Sequence, residues 1–178
     1  MRKILPIAFL GLTNFLLAQP ESHEITNIGR VNLGLHGLEV SYELPIARKF
    51  VWENNFGIGM GSSVRGNSVE FVLSFPTLYI KSELKFIYNT RKRILKEKIT
   101  LNNSGNYIGL QSKFNFGKSS YRDLNQSLLT EFHWGVQRSL DERWILNVHV
   151  GLGYLRDFDT FNGAMSPTFG LRFGYKLF

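Results

Sequence analysis

Apolar residues recur at every second position through most of the chain, the period of a strand with one apolar and one polar face. Leu38, Val40, Tyr42 and Leu44 form one such row, and Phe50, Trp52, Phe56, Ile58 and Met60 the next, with Asn54 as its exception. Leu78, Ile80, Leu84, Phe86 and Tyr88 follow around Ser82, then Ile108, Leu110, Phe114 and Phe116 around Ser112. Leu128, Phe132, Trp134 and Val136 alternate around Thr130, Trp144 to Tyr154 alternate without a break, and Phe169 to Leu177 closes the chain. The opposite face carries charge, amides and glycine. It holds Glu39, Glu43, Glu53, Lys81, Glu83, Lys85, Lys113, Glu131, His133, His149, Arg172 and Lys176.

Two architectures accept such strands. A soluble sandwich or lipocalin-like barrel turns the apolar face inward, whereas an outer-membrane barrel turns it to lipid. Periodicity does not separate them; strand length and aromatic placement do. The rows span about 10 to 12 residues, close to the 9–11 of a tilted membrane strand and beyond the usual soluble strand. Tyr42, Trp52, Tyr88, Trp134, Trp144 and Tyr175 lie on the apolar face, each within a few residues of a strand end. If strands alternate in direction, those ends share one side of the sheet, as the aromatic girdle of a membrane interface does. Connections on that side are short (Pro45 to Lys49, Arg138 to Arg143), and those on the other are longer (Gly61 to Asn67, Gly117 to Asn125, Arg156 to Ser166).

One connection departs from this habit. Asn89 to Asn106 is long and holds Arg91, Lys92, Arg93, Lys96 and Lys98, which predicts a helical turn beneath the barrel with a solvated basic face. Nucleic acid is not an expected partner.

Residues 1–18 read as a signal peptide: Met1-Arg2-Lys3 is basic, Ile4 to Leu17 is apolar, and Ala18 precedes a polar turn in the chain. The run is too short and too interrupted for a membrane anchor. Its removal takes Arg2 and Lys3 away and lowers the formal charge from +7 to +5. Residues 19–178 form the expected barrel domain. With 43% hydrophobic residues and 14% aromatics the chain is neither disordered nor a polytopic helical membrane protein, and its zero cysteines remove disulfide scaffolds and thiol catalysis.

The last row, Phe169-Gly170-Leu171-Arg172-Phe173-Gly174-Tyr175-Lys176-Leu177-Phe178, resembles the assembly signal of bacterial outer-membrane β-barrels, although Phe178 falls out of register with the apolar face. Gly37 to Pro45 and Asn102 to Ile108 are similar to segments of uncharacterised small outer-membrane barrel proteins. The resemblance implies a monomer in the outer membrane of a Gram-negative bacterium, in contact with its lipids and assembled through the C-terminal strand. It brings no active site with it.

Seven rows are evident, and an even strand number asks for an eighth. The first candidate lies within Ile25 to Leu35, with Gly34-Leu35-His36-Gly37 as its turn; the rival is a bulged first strand over about residues 31–44, partnered by Val69 to Phe75. The fold predicted is therefore all-β: a single antiparallel up-and-down transmembrane β-barrel of eight strands. Its lumen would be filled by five glutamates facing five cations. A Ser-His-Glu hydrolase with Ser127 as nucleophile is the sharp reading of Glu131, His133 and His149; membership of an interior hydrogen-bond network is the plainer one and is preferred. Two histidines and a carboxylate could hold zinc, but lumen histidines are more often solvated, so no metal or other cofactor is assigned. The expected function is structural or surface-interacting, without catalysis.

Overall fold

A computed structural model describes residues 25–65, 68–117 and 125–178; the expected signal peptide, residues 1–18, lies outside them. Among the described residues, eight antiparallel strands follow one another around a closed ring: β1 (Ile28–Gly34), β2 (Gly37–Ala47), β3 (Phe50–Arg65), β4 (Ser68–Ile87), β5 (Gly105–Asn115), β6 (Ser127–Ser139), β7 (Trp144–Asp157) and β8 (Gly163–Lys176). β1 pairs with β8 from Arg30↔Lys176 to Gly34↔Arg172, which joins the two edges of the sheet and leaves no unpaired strand along that seam. The first candidate for the eighth strand is therefore the one that forms. Val69 to Phe75 is also extended, but as the upper part of β4.

The two faces alternate as the sequence requires. Even-numbered residues of β2 and β5 point outward and odd-numbered ones inward, so Val40 and Leu110 are exposed while Glu39, Ser41 and Lys113 are buried. The three tryptophans lie outside, at the end of the ring that carries the Arg48–Lys49 turn, and we call that end the base. There Trp144 meets Tyr175 edge-on at 5.1 Å, Trp134 Nε1 donates to the Tyr88 hydroxyl at 2.8 Å, and Trp52 Nε1 donates to Ser82 Oγ.

The interruptions of the apolar rows turn out to be neighbours. Asn54 pairs with Ser82, Ser82 with Ser112, and Ser112 with Thr130, so the four polar exceptions make one stripe across β3 to β6. Tyr42 and Tyr154 stand at its two ends.

Away from the base the strands run further than the alternation suggested. β3 continues to Arg65, so the loop expected at Gly61 to Asn67 is largely strand, and β7 and β8 leave only residues 158–162 between them. The cause in β3 is a bulge: Met60 pairs with Pro76 but Gly61 with Val72. The irregularity exchanges the two faces, and Ser62 and Val64, even-numbered, are buried. Val64 then packs with Leu129, Leu155 and Ala164 in an apolar cluster inside this far end.

The β1–β2 hairpin is shorter than its neighbours. Gly37, at φ +121°, makes the turn, the His36 carbonyl accepts from Met60 N, and Leu35 N donates to the Leu171 carbonyl. β3 extends six residues beyond Gly59, the partner of Gly37, or about 20 Å at 3.4 Å per residue. The rim is therefore notched between β3 and β8.

The long connection at the base contains the expected helical turn, α1 (Thr90–Ile94). Its basic residues are exposed except Arg93, which is buried and donates to the Ile99 carbonyl instead of facing solvent. The following Asn102 and Asn103 adopt left-handed backbone conformations, φ +53° and +54°, which asparagine tolerates better than most residues. That curl turns both side chains into the ring. Asn103 donates to Glu43 Oε2 and to the Thr26 carbonyl, and Asn102 to Ser139 Oγ, so the loop stoppers the base. Phe178 lies beyond the end of β8, and its ring covers Gly29 on the exterior. Leu177 N donates to the Gly29 carbonyl and Gly29 N to the Phe178 carbonyl, so two residues oppose one, which accounts for the parity of Phe178.

Candidate functional site

The middle of the ring is filled by charge. Glu53, on β3, receives Arg30 from β1 at 3.0 Å, Arg172 from β8 at 2.8 Å, and the Lys85 ammonium from β4. Glu43 shares Arg30 and Lys85, each at 3.0 Å. Glu39 is met by Lys81 at 2.8 Å, Arg172 at 3.0 Å and the Tyr79 hydroxyl at 2.8 Å. Glu83 sits between Arg172, at 3.4 Å, and His133, at 2.9 Å. These side chains are almost wholly buried, and buried ions persist only where each charge is matched and hydrogen-bonded. Long cations from opposite walls meet here because an eight-stranded ring is just wide enough for side chains to fill.

Of the twelve interior residues named from the sequence, eleven are buried in the lumen. Lys176 is not among them; it is half-buried at the foot of β8 and forms no ion pair with these carboxylates. Lys113 is inside but has no carboxylate partner. It lies 4.2 Å over the Tyr79 ring and donates to the Met60 carbonyl. Arg30, which pairs with two glutamates, escaped the sequence reading because it belongs to the short β1, where only three apolar residues alternate. Gln111, Gln137, Asn147 and Tyr107 complete the network by hydrogen bonds.

Glu131, His133 and His149 form a tighter group on adjacent β6 and β7. His133 Nδ1 is 3.0 Å and His149 Nε2 is 3.2 Å from the same oxygen, Glu131 Oε1, and the two imidazoles stack at 4.3 Å between centroids. Both rings lie against glycines of neighbouring strands. A β-carbon on Gly109 would fall 2.3 Å from His133 Nε2, and one on Gly170 would fall 2.1 Å from His149 Cε1. The histidines are 1% and 2% exposed, within the interior where their parity puts them. Ser127 is elsewhere. It bonds Ser62 and Asn115 near the far end, six residues along β6 from His133, about 20 Å. That separation breaks the proposed Ser-His-Glu arrangement, since its members must touch.

The chain matches no protein-family model, and neither the curated proteins nor the solved structures yield a significant match.

Proposed function

We propose that the chain is a small integral outer-membrane β-barrel protein of a Gram-negative bacterium, with a structural or surface-interacting role and a filled, salt-bridged lumen. The observation that carries this reading is the exchange of faces. Large apolar side chains such as Leu33 (66% exposed) and Phe132 (62%) cover the outside, while Glu43, Glu53 and Glu83 are sealed within. A soluble protein rarely exposes contiguous apolar surface on that scale, whereas a membrane barrel requires an apolar exterior flanked by aromatic rings. Trp52, Trp134, Trp144, Tyr42, Tyr88 and Tyr175 serve as the basal girdle, with their ring N–H and O–H groups at the interface. The stoppered base and the apolar cluster at the far end favour a closed lumen over a pore. In this reading residues 1–18 direct export, the C-terminal strand engages the assembly machinery, and the protein is monomeric among outer-membrane lipids.

Fractionation tests it. The protein is expected to stay with outer membranes through a carbonate wash and to migrate faster unheated than boiled on detergent gels; release into the wash overturns the reading. In planar bilayers no porin-like conductance is expected, and a steady one would refute the filled lumen.

A further inference from the structure

We propose that Glu131, His133 and His149 bind a first-row divalent transition-metal ion, zinc being the best match, inside the ring. The argument begins with the proton on His133. Its Nε2 faces Glu83 Oε1 at 2.9 Å, and an ionised carboxylate only accepts, so Nε2 is the donor. In the neutral ring Nδ1 then carries a lone pair. Nδ1 lies 3.0 Å from Glu131 Oε1 and is buried, yet the two atoms are not aligned as a hydrogen bond. A bare nitrogen 3.0 Å from a carboxylate oxygen is repulsive unless positive charge lies between them.

His149 brings a second imidazole nitrogen to the same oxygen at 3.2 Å, and the donor atoms of all three residues lie within 4.8 Å of one another. Ligands about 2.0–2.1 Å from a tetrahedral zinc ion stand roughly 3.3–3.4 Å apart, within a few tenths of an ångström of the two nitrogen–oxygen separations. The donor set of two imidazoles and one carboxylate suits zinc, copper or nickel better than calcium or magnesium, which prefer oxygen alone.

The surroundings match the outer shell such sites need. Glu83 fixes the His133 tautomer, and Gln111 Nε2 donates to Glu131 Oε1 at 3.0 Å and holds the carboxylate in place. Gly109 and Gly170 admit the two rings. Lys113, a cation without a carboxylate in salt-bridge contact, lies over the Tyr79 ring. At the notch His36, in the short turn, meets the Phe169 carbonyl beside Gly170, against which the His149 ring lies. A fourth ligand would come from water. The inference does not rest on the exterior meeting lipid, so its failure would leave the membrane reading standing.

The test uses the full chain, refolded in detergent micelles and stripped with chelator. Cobalt(II) titration is expected to saturate at one equivalent with the intense visible bands of four- or five-coordination, and zinc should displace it. His149→Gln and Glu131→Gln should each weaken cobalt binding at least tenfold while keeping the native circular dichroism. Glu83→Gln, which removes the acceptor that fixes the tautomer and leaves Arg172 the carboxylates of Glu39 and Glu53, should weaken it by about tenfold. A wild-type spectrum no different from hydrated cobalt, or equal affinity in the variants, would overturn the proposal and leave a hydrogen-bond network around a protonated His133. Should a variant fail to fold, the wild-type spectrum decides alone.

Discussion

The imidazole of His149 occupies the space that Gly170 leaves by having no side chain: a β-carbon there would stand 2.1 Å from Cε1 and 2.5 Å from Nε2, the nitrogen that faces Glu131. The ring is walled on its other side by His133, so it has little room to yield. Gly170→Ala is therefore expected to cost about 1–3 kcal/mol by overpacking, measured by denaturant unfolding in micelles. In a His149→Ala background the same substitution should cost less than about 0.5 kcal/mol. Additive effects would show that the two positions are not coupled.

Glu53 is the most heavily shared carboxylate, facing Arg30, Lys85 and Arg172. Glu53→Ala would leave three buried cations short of a counter-charge, and a loss of about 3–5 kcal/mol is expected, as when one partner of a buried pair is removed. Equilibrium unfolding would read it. A loss below about 1 kcal/mol would mean that Glu39, Glu43 and Glu83 take over the work.

Leu110, midway along β5 and 53% exposed, separates the two environments the exterior could meet. Leu110→Arg should cost about 2–4 kcal/mol in a bilayer near its midplane. For a solvated exterior the cost would stay within about 0.5 kcal/mol. Refolding into lipid vesicles and titrating with denaturant distinguishes the two.

Asn103 combines a left-handed backbone with bonds to Glu43 and to the Thr26 main chain. Asn103→Ala is expected to lose about 1.5–3 kcal/mol for the charge-assisted bond, with backbone strain in addition. Asn103→Gly relieves the strain and loses only the bonds, so it should be the milder change. The reverse order would show that the loop does not keep this conformation.

Asp141, in the exposed turn between β6 and β7, accepts from the Trp144 and Arg143 amides through Oδ1, and those bonds hold its carboxyl below the ordinary aspartate range. With the folded pKa beneath the unfolded one, its contribution to the turn is complete above the unfolded value. It disappears as the pH falls through the folded one. A carbon-13 titration of Asp141 should give a midpoint under about 3.9; a midpoint at or above that value contradicts the bonding.

The alternation of Leu38, Val40 and Tyr42, or of Trp144 to Tyr154, was readable because period two survives as long as a strand stays regular. It stopped being readable at Met60, where one bulge exchanges the faces and hides Ser62 and Val64 in what looked like a loop. Asn54, Ser82, Ser112 and Thr130 looked like isolated lapses; only register shows that they adjoin. The glutamates and lysines of the lumen were identifiable by parity, but not their partners, because Arg30 meets Glu53 across strands that no local pattern links. The convergence of His133 and His149 on one oxygen has the same origin. Positions 131, 133 and 149 declare their faces in the sequence, and the depth at which they meet is set by the pairing of Gly135 with His149.

The two arginines on Glu53 come from β1 and β8, the first strand of the ring and the last. A chain still missing β8 leaves that carboxylate without Arg172 and β1 without its second neighbour. Electrical neutrality and mechanical closure arrive together, with the final turn of the polypeptide.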